Sequence, residues 1–255
     1  MSNKPEPMIT GLLTVAPRYC GPPNSANGGY IAGRLSTFVG DSAQVSLLRP
    51  PPLNTAMQVA TRSDGGVDLI NNDGIVATAI PATARVSITA VPDFDVACAA
   101  SERTFPAALH KIPQCFVCGP GRNHGDGLRI HVGPVDPADS EWSGTLAAPW
   151  VPAAALADGQ GEVGAEFVWA ALDCPTAYAC GSLDGMPPVL LGRQTVSVAR
   201  RPRAGEHCVV VATQTGHDGR KYFADAVLVG ADGQQIAVCN AIWIEVSEAQ
   251  LLGSA

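Results

Sequence analysis

The chain repeats part of itself. Residues 45–66 read VSLLRPPPLNTAMQVATRSDGG and residues 196–219 read VSVARRPRAGEHCVVVATQTGHDG. Both run V-S-x-x-R, prolines, a strand ending in V-A-T, then an Asp-Gly turn, and one inserted residue brings them into register. Each is followed by a second Asp-Gly turn and another strand, at 71–80 and 231–246. Self-similarity at this spacing limits the fold to two like units that pack together. The 255 residues suffice for two modest modules, expected near 15–105 and 112–248.

Local patterns say what each unit contains. Ile236, Val238, Ile242, Ile244 and Val246 share one parity, with Asn240 interrupting, which predicts a strand with that face buried. Asp73-Gly74, Asp218-Gly219 and Asp232-Gly233 separate such runs, as tight hairpin turns require. Upstream of each meander lies one helical segment, at 27–36 and 164–173. Asn27 is suited to cap the first. Phe167, Ala170, Ala171 and Cys174 recur at helical spacing in the second, which Pro175 should end or kink just after Asp173. The connection at 91–113 has room for a short helix. Each half is therefore expected to be one buried helix and an antiparallel sheet, an α+β class.

Three stretches carry a resemblance: NGGY at 27–30, WAALDCPTAYAC at 169–180 and CFVCGPGRNHGDGLRI at 115–130. In this order, with the repeat, the chain resembles the hotdog-fold thioesterase superfamily, and within it the double-hotdog, acyl-CoA-thioesterase-like members. The resemblance implies a double hotdog: two fused modules, each an antiparallel sheet wrapped around one central helix. It implies hydrolysis of an acyl-CoA or related thioester, with coenzyme A as part of the substrate and no separate cofactor. Two other readings stand beside it: an acyl-thioester hydratase or dehydratase, and a non-catalytic acyl-CoA-binding or regulatory protein.

Thioester hydrolysis needs a donor for the oxyanion and a carboxylate to activate water or attack directly. A glycine-opened helix N-terminus supplies the first, which points to Asn27, Gly28 and Gly29. Asp173 supplies the second. Superposing the two helices places Asp173 nine positions past Gly164, about 13 Å along one helix, too far for one carbonyl to meet both groups. The first half has Ser36 where the second has Asp173, and the second has Ala165-Glu166 where the first has Gly28-Gly29. One composite site per chain is expected, with the Gly28 and Gly29 amides facing Asp173 and the reciprocal end inert. Double-hotdog thioesterases pair their acid with an amide and a hydroxyl from nearby strands, which implies Gln194, Thr195 and Asn240 here, although Asn240 reads first as a satisfied core amide. Arg200, Arg201 and Arg203 form the densest basic cluster and are candidates for coenzyme A phosphates, against a plain solvated loop.

Other signals fall short. Cys115-x-x-Cys118 has only His124 close by and no second pair, so no metal site is expected. The run at 119–127 lacks the Gly-Lys-Ser/Thr of a phosphate loop, and no G-x-S-x-G elbow occurs. The net charge of −7 argues against a nucleic-acid partner. The opening MSNKPEPMIT carries no basic-then-apolar leader, no apolar run approaches a bilayer span, and eight cysteines without a leader read as reduced thiols. A cytoplasmic protein acting on a small-molecule acyl thioester is expected, with no membrane partner; a homo-oligomer of double-hotdog chains stays open.

Overall fold

The computed structural model describes residues 8–136, 139, 143–181 and 187–253; the first seven residues of the stretch read for a leader lie outside them. Eleven strands form one sheet: β1 (Met8–Leu13), β2 (Ser42–Leu47), β3 (Met57–Thr61), β4 (Val67–Asn71), β5 (Gly74–Pro81), β6 (Gly133–Pro134), β7 (Thr145–Trp150), β8 (Val189–Val198), β9 (Cys208–Asp218), β10 (Lys221–Val229) and β11 (Gln235–Glu245). The helices are α1 (Gly28–Ser36), α2 (Phe94–Glu102), α3 (Ala165–Ala171), α4 (Asp173–Ala179) and α5 (Glu248–Leu251). The strand order is β1-β3-β4-β5-β2-β8-β11-β10-β9-β7-β6. The seam is the antiparallel pairing of Ser42–Ser46 with Arg193–Ser197. Outward from it the order is β2, β5, β4, β3, β1 on one side and β8, β11, β10, β9, β7 on the other, where the two-residue β6 adds an edge without a counterpart. The same connections therefore run on both sides, with α1 preceding one seam strand and α3–α4 the other.

The Asp-Gly turns sit where the sequence predicts them. Gly74, Gly219 and Gly233 have φ of 111°, 57° and 72°, which a glycine adopts without a Cβ clash. α1 starts as predicted, with Asn27 Oδ1 accepting from the Tyr30 N–H at 2.9 Å. It crosses α3 closely on two glycines four residues apart. A Cβ on Gly33 would lie 2.6 Å from Glu166 Cα, and one on Gly29 would lie 2.8 Å from the Trp169 carbonyl oxygen.

Two predictions are corrected. The second helix breaks at Leu172, before Asp173, and a new helix begins at Asp173. Pro175 lies in the first turn of α4, where an N–H has no intrahelical acceptor, so it starts a helix rather than ending one. In β11 the face under the helices carries Ala237, Cys239, Ala241 and Trp243, and of the predicted parity Ile236 joins that core. Asn240, Ile242 and Ile244 face the other way and are half-buried. The sheet lies close against the helices, so its inner face takes small side chains, with Ala43, Ala77, Ala79, Ala212, Ala224 and Ala226 in the same core. The bulkier parity is covered in part from outside. There Ala97 and Ala100 of α2 join Val209, Val211, Val227, Val229 and Val238 in a second cluster. With both faces covered, these strands read as continuous apolar runs and parity is a poor guide. Among the described residues no helix is long and apolar enough to cross a membrane.

Candidate functional site

The start of α1 and the break between α3 and α4 meet at the centre of the molecule. Asn27 uses both ends of its amide: Oδ1 caps α1, and Nδ2 donates to Asp173 Oδ2 at 2.6 Å. Both side chains are 2% exposed. Burial pushes the Asp173 carboxyl up to about 7, against the lowering influence of the Gly29 N–H and the Asn27 amide, with Cys115 adding to the rise. Asp173 Oδ1 is buried with no hydrogen-bond partner among the described residues. A carboxyl held this way exchanges its proton readily near neutral pH.

A cavity of about 490 Å³ opens onto this point. Its walls include Leu47, Val189, Leu191, Trp243 and Leu251, so both sides of the seam contribute. Asn27, Gly28, Asp173 and Cys174 lie at its polar end. A mostly apolar cleft of this size with a few convergent polar groups is the usual form of a small-molecule site.

Three thiols line the same end. Cys115, Cys118 and Cys174 are buried, with Sγ atoms within 4.8 Å of one another, and Cys115 and Cys174 are 3.6 Å apart. Tyr178 Oη donates to Cys118 Sγ at 3.3 Å and is 2.8 Å from His110 Nε2. Hydrogen bonds from the Cys118 and Cys174 thiols hold Cys115 well below the ordinary thiol range. The shared proton and the Cys115 charge push Cys118 and Cys174 up. Burial lowers His110 and raises Tyr178.

The structure brings Asn27, Gly28, Gly29 and Asp173 together, sets Gln194 against the end of α3, and puts Thr195, Asn240 and the arginines elsewhere. Gly28 lines the cavity. Gly29 lies against α3, where an added Cβ would be 2.6 Å from Asp173 Cβ. Gln194 is fully buried behind the end of α3, its Nε2 donating to the Trp169 carbonyl at 3.2 Å. Thr195 and Asn240 pair across β8 and β11 on the outer side of the sheet. There Asn240 bonds the Arg85 backbone at both ends of its amide and donates to Asp225 Oδ1 at 2.7 Å. It is a satisfied outer-face amide, away from Asp173. The arginines are not in the cavity lining either. Arg200 pairs with Glu206 and Asp232, and Arg201 with Asp158 and Glu162. Arg203 donates to the Gln160 carbonyl at 3.4 Å. Arg201 and Arg203 tie the β8–β9 loop to the turn at 158–162, and Arg200 ties it to the turn at Asp232. Ser36 donates to the Gly33 carbonyl at 2.9 Å. Sequence reasoning missed Cys174, Tyr178 and His110 as members of the site. The CxxC pair and the CPTAYAC run were visible signals, but only folding joins them.

No protein-family model and no curated protein matches the sequence. Solved structures do match the fold. The tesB protein of Mycobacterium avium subsp. paratuberculosis aligns over 95% of this chain and 96% of its own, with a TM-score of 0.60 and 14% identity. The acyl-CoA thioesterase II TesB2 of Mycobacterium marinum aligns over 92% of each chain, with a TM-score of 0.57 and 12% identity. A conserved protein of unknown function with a hot dog fold from Alicyclobacillus acidocaldarius aligns over 94% of this chain and 96% of its own, with a TM-score of 0.57 and 14% identity. At these identities the likeness is one of fold: the chain has a hotdog-type architecture over nearly its whole length.

Proposed function

We propose that this hotdog-fold chain hydrolyses an acyl-CoA or related thioester, as two fused hotdog modules, near 15–105 and 112–248, that share one composite site. The observation that carries the reading is the Asn27–Asp173 contact at the end of an apolar cavity. It joins a carboxylate from the second half to a helix N-terminus from the first. The acyl chain would occupy the apolar walls, with its carbonyl at the polar end.

Asp173 takes a proton from water as the water oxygen attacks the carbonyl carbon. The charge that grows on the carbonyl oxygen is met by the start of α1, where the Gly28 N–H has no intrahelical acceptor and the helix dipole is positive. The Gly29 N–H favours the charged form of Asp173. Collapse of the tetrahedral intermediate breaks the carbon–sulfur bond. The proton held by Asp173 returns to the departing thiolate, leaving a free acid and a free thiol. Asn27 positions the base. No separate cofactor enters these steps.

The test is release of free thiol from acyl-CoAs of graded chain length by the purified chain and by Asp173→Asn. Release that the variant loses while still binding acyl-CoA supports hydrolysis. No release above buffer at any chain length overturns it and leaves a binding protein.

A further inference from the structure

We propose that Cys115, Cys118 and Cys174 form a zinc site whose fourth position faces the cavity. The sequence alone offers two thiols and His124, which is too few. Folding supplies the third sulfur from the second residue of α4, 59 positions away from Cys115.

Spacing is the first argument. Zinc–sulfur bonds of about 2.3 Å in a tetrahedron put the sulfurs roughly 3.8 Å apart. Cys115 and Cys174 stand at 3.6 Å, and all three Sγ atoms lie within 4.8 Å of one another. The Cys115–Cys174 pair already has the spacing, and a shift of Cys118 by up to about 1 Å brings all three onto one ion.

The turn that presents two of them is the second argument. In Cys115-Phe-Val-Cys118-Gly119 the Gly119 N–H donates to the Cys115 carbonyl at 2.9 Å. A Cβ on Gly119 would lie 2.5 Å from that oxygen, so glycine closes the turn. Tyr178 Oη donates to Cys118 Sγ, and Asn27 Nδ2 is 3.9 Å from Cys115 Sγ. Donors aimed at sulfur are the outer shell that a metal-bound thiolate needs. Three buried thiols with no cation would leave those donors on weak acceptors.

The cavity supplies the third argument. All three cysteines line it, so a ligand can approach the ion from that side. Three protein ligands and an accessible fourth position are the pattern of a reactive rather than a closed structural zinc. Asp173, adjacent to Cys174, keeps Oδ1 buried without a hydrogen-bond partner among the described residues, and it is a protein oxygen within the same polar end. The inference does not rest on thioester hydrolysis.

The experiment reads metal, not turnover. The full chain, reduced, is given zinc, passed through a desalting column and assayed for bound metal; cobalt(II) is then substituted. The expected result is about one zinc per chain and a thiolate-to-cobalt charge-transfer band. Both should be lost in Cys174→Ser and kept in Cys98→Ser, whose thiol lies on α2. Zinc should also shield three thiols of the unmodified chain from alkylation, mapped to residues 115, 118 and 174, a readout that needs no variant to fold. No stoichiometric zinc in the reduced chain, shielding at other cysteines, or Cys115 held in a disulfide in the chain as isolated would each overturn the site.

Discussion

Asn27 Nδ2 lies 2.6 Å from Asp173 Oδ2 while Asn27 Oδ1 caps α1, so one amide ties the helix start of the first half to the acid of the second. The two duties can be separated. Ser also caps helices well, so Asn27→Ser keeps the cap and loses the donor to Asp173. A buried hydrogen bond to a charged group contributes about 1.5–3 kcal/mol. Urea titration should show a loss of that size, with thiol release falling at least as far as in any variant that spares the cavity. Asn27→Asp keeps the cap and sets a second carboxyl against the first. It should be the more damaging of the two for stability at neutral pH.

The close crossing of α1 and α3 gives the second prediction. Gly29→Ala drives a methyl to 2.6 Å from Asp173 Cβ, and Gly33→Ala drives one to 2.6 Å from Glu166 Cα. Neither neighbour can swing away without moving a helix. Overpacking of this kind costs about 1–3 kcal/mol, and these sites should reach the upper end. Gly28→Ala meets Leu191 Cδ2 at 2.8 Å, the far end of a side chain that can turn. Its melting temperature should drop less than that of either other variant. Equal losses at all three glycines would mean that the helices are less tightly locked than the geometry requires.

Arg200 holds Glu206 through two contacts, 2.6 Å and 3.1 Å, and Asp232 at 3.2 Å. Arg200 keeps the Glu206 carboxyl below its ordinary value of 4.5. A folded-state pKa that is depressed stabilises the fold above the unfolded value, and the benefit is lost as pH falls through the folded value. Arg200 is about a third exposed, so solvent screens the pair and about 1 kcal/mol is the expected size. Glu206→Gln should therefore be less stable than the parent at pH 7. The gap should close on acidification below pH 4.5, as followed by thermal melts across that range. Since none of Arg200, Arg201 and Arg203 lines the cavity, Arg203→Gln should leave KM for acyl-CoA unchanged.

Much of the architecture was legible because its signals are local. Asp-Gly turns, the Asn27 cap and the repeated V-S-x-x-R text each depend on a few adjacent residues. The second helix was misjudged because a proline reads as a stop unless the chain has just restarted, and nothing local marks Leu172 as the restart. The inner face of β11 was misjudged because bulk usually marks the core. Here the helices sit so close that Ala237, Cys239 and Ala241 fill the space, while Asn240 pairs with the backbone of a distant segment, Arg85. At the site, Asp173 and the Gly28–Gly29 helix start could be paired by asking which half lacked what the other kept. The thiol cluster could not, since Cys174 comes to Cys115 only through tertiary folding.

Ala177 of α4 is the position from which to test what the cavity holds. It is 6% exposed and lies on the cavity lining with Leu47 and Leu191. Ala177→Phe would fill part of the cavity one turn of α4 beyond Asp173. If the acyl chain lies along these walls, each methylene that the ring displaces loses about 0.8 kcal/mol of burial, or roughly fourfold in binding. Long acyl-CoAs should then lose kcat/KM progressively with chain length, and the shortest should lose least. The measurement is kcat/KM against chain length for parent and variant. A uniform drop at every length would place the acyl chain elsewhere.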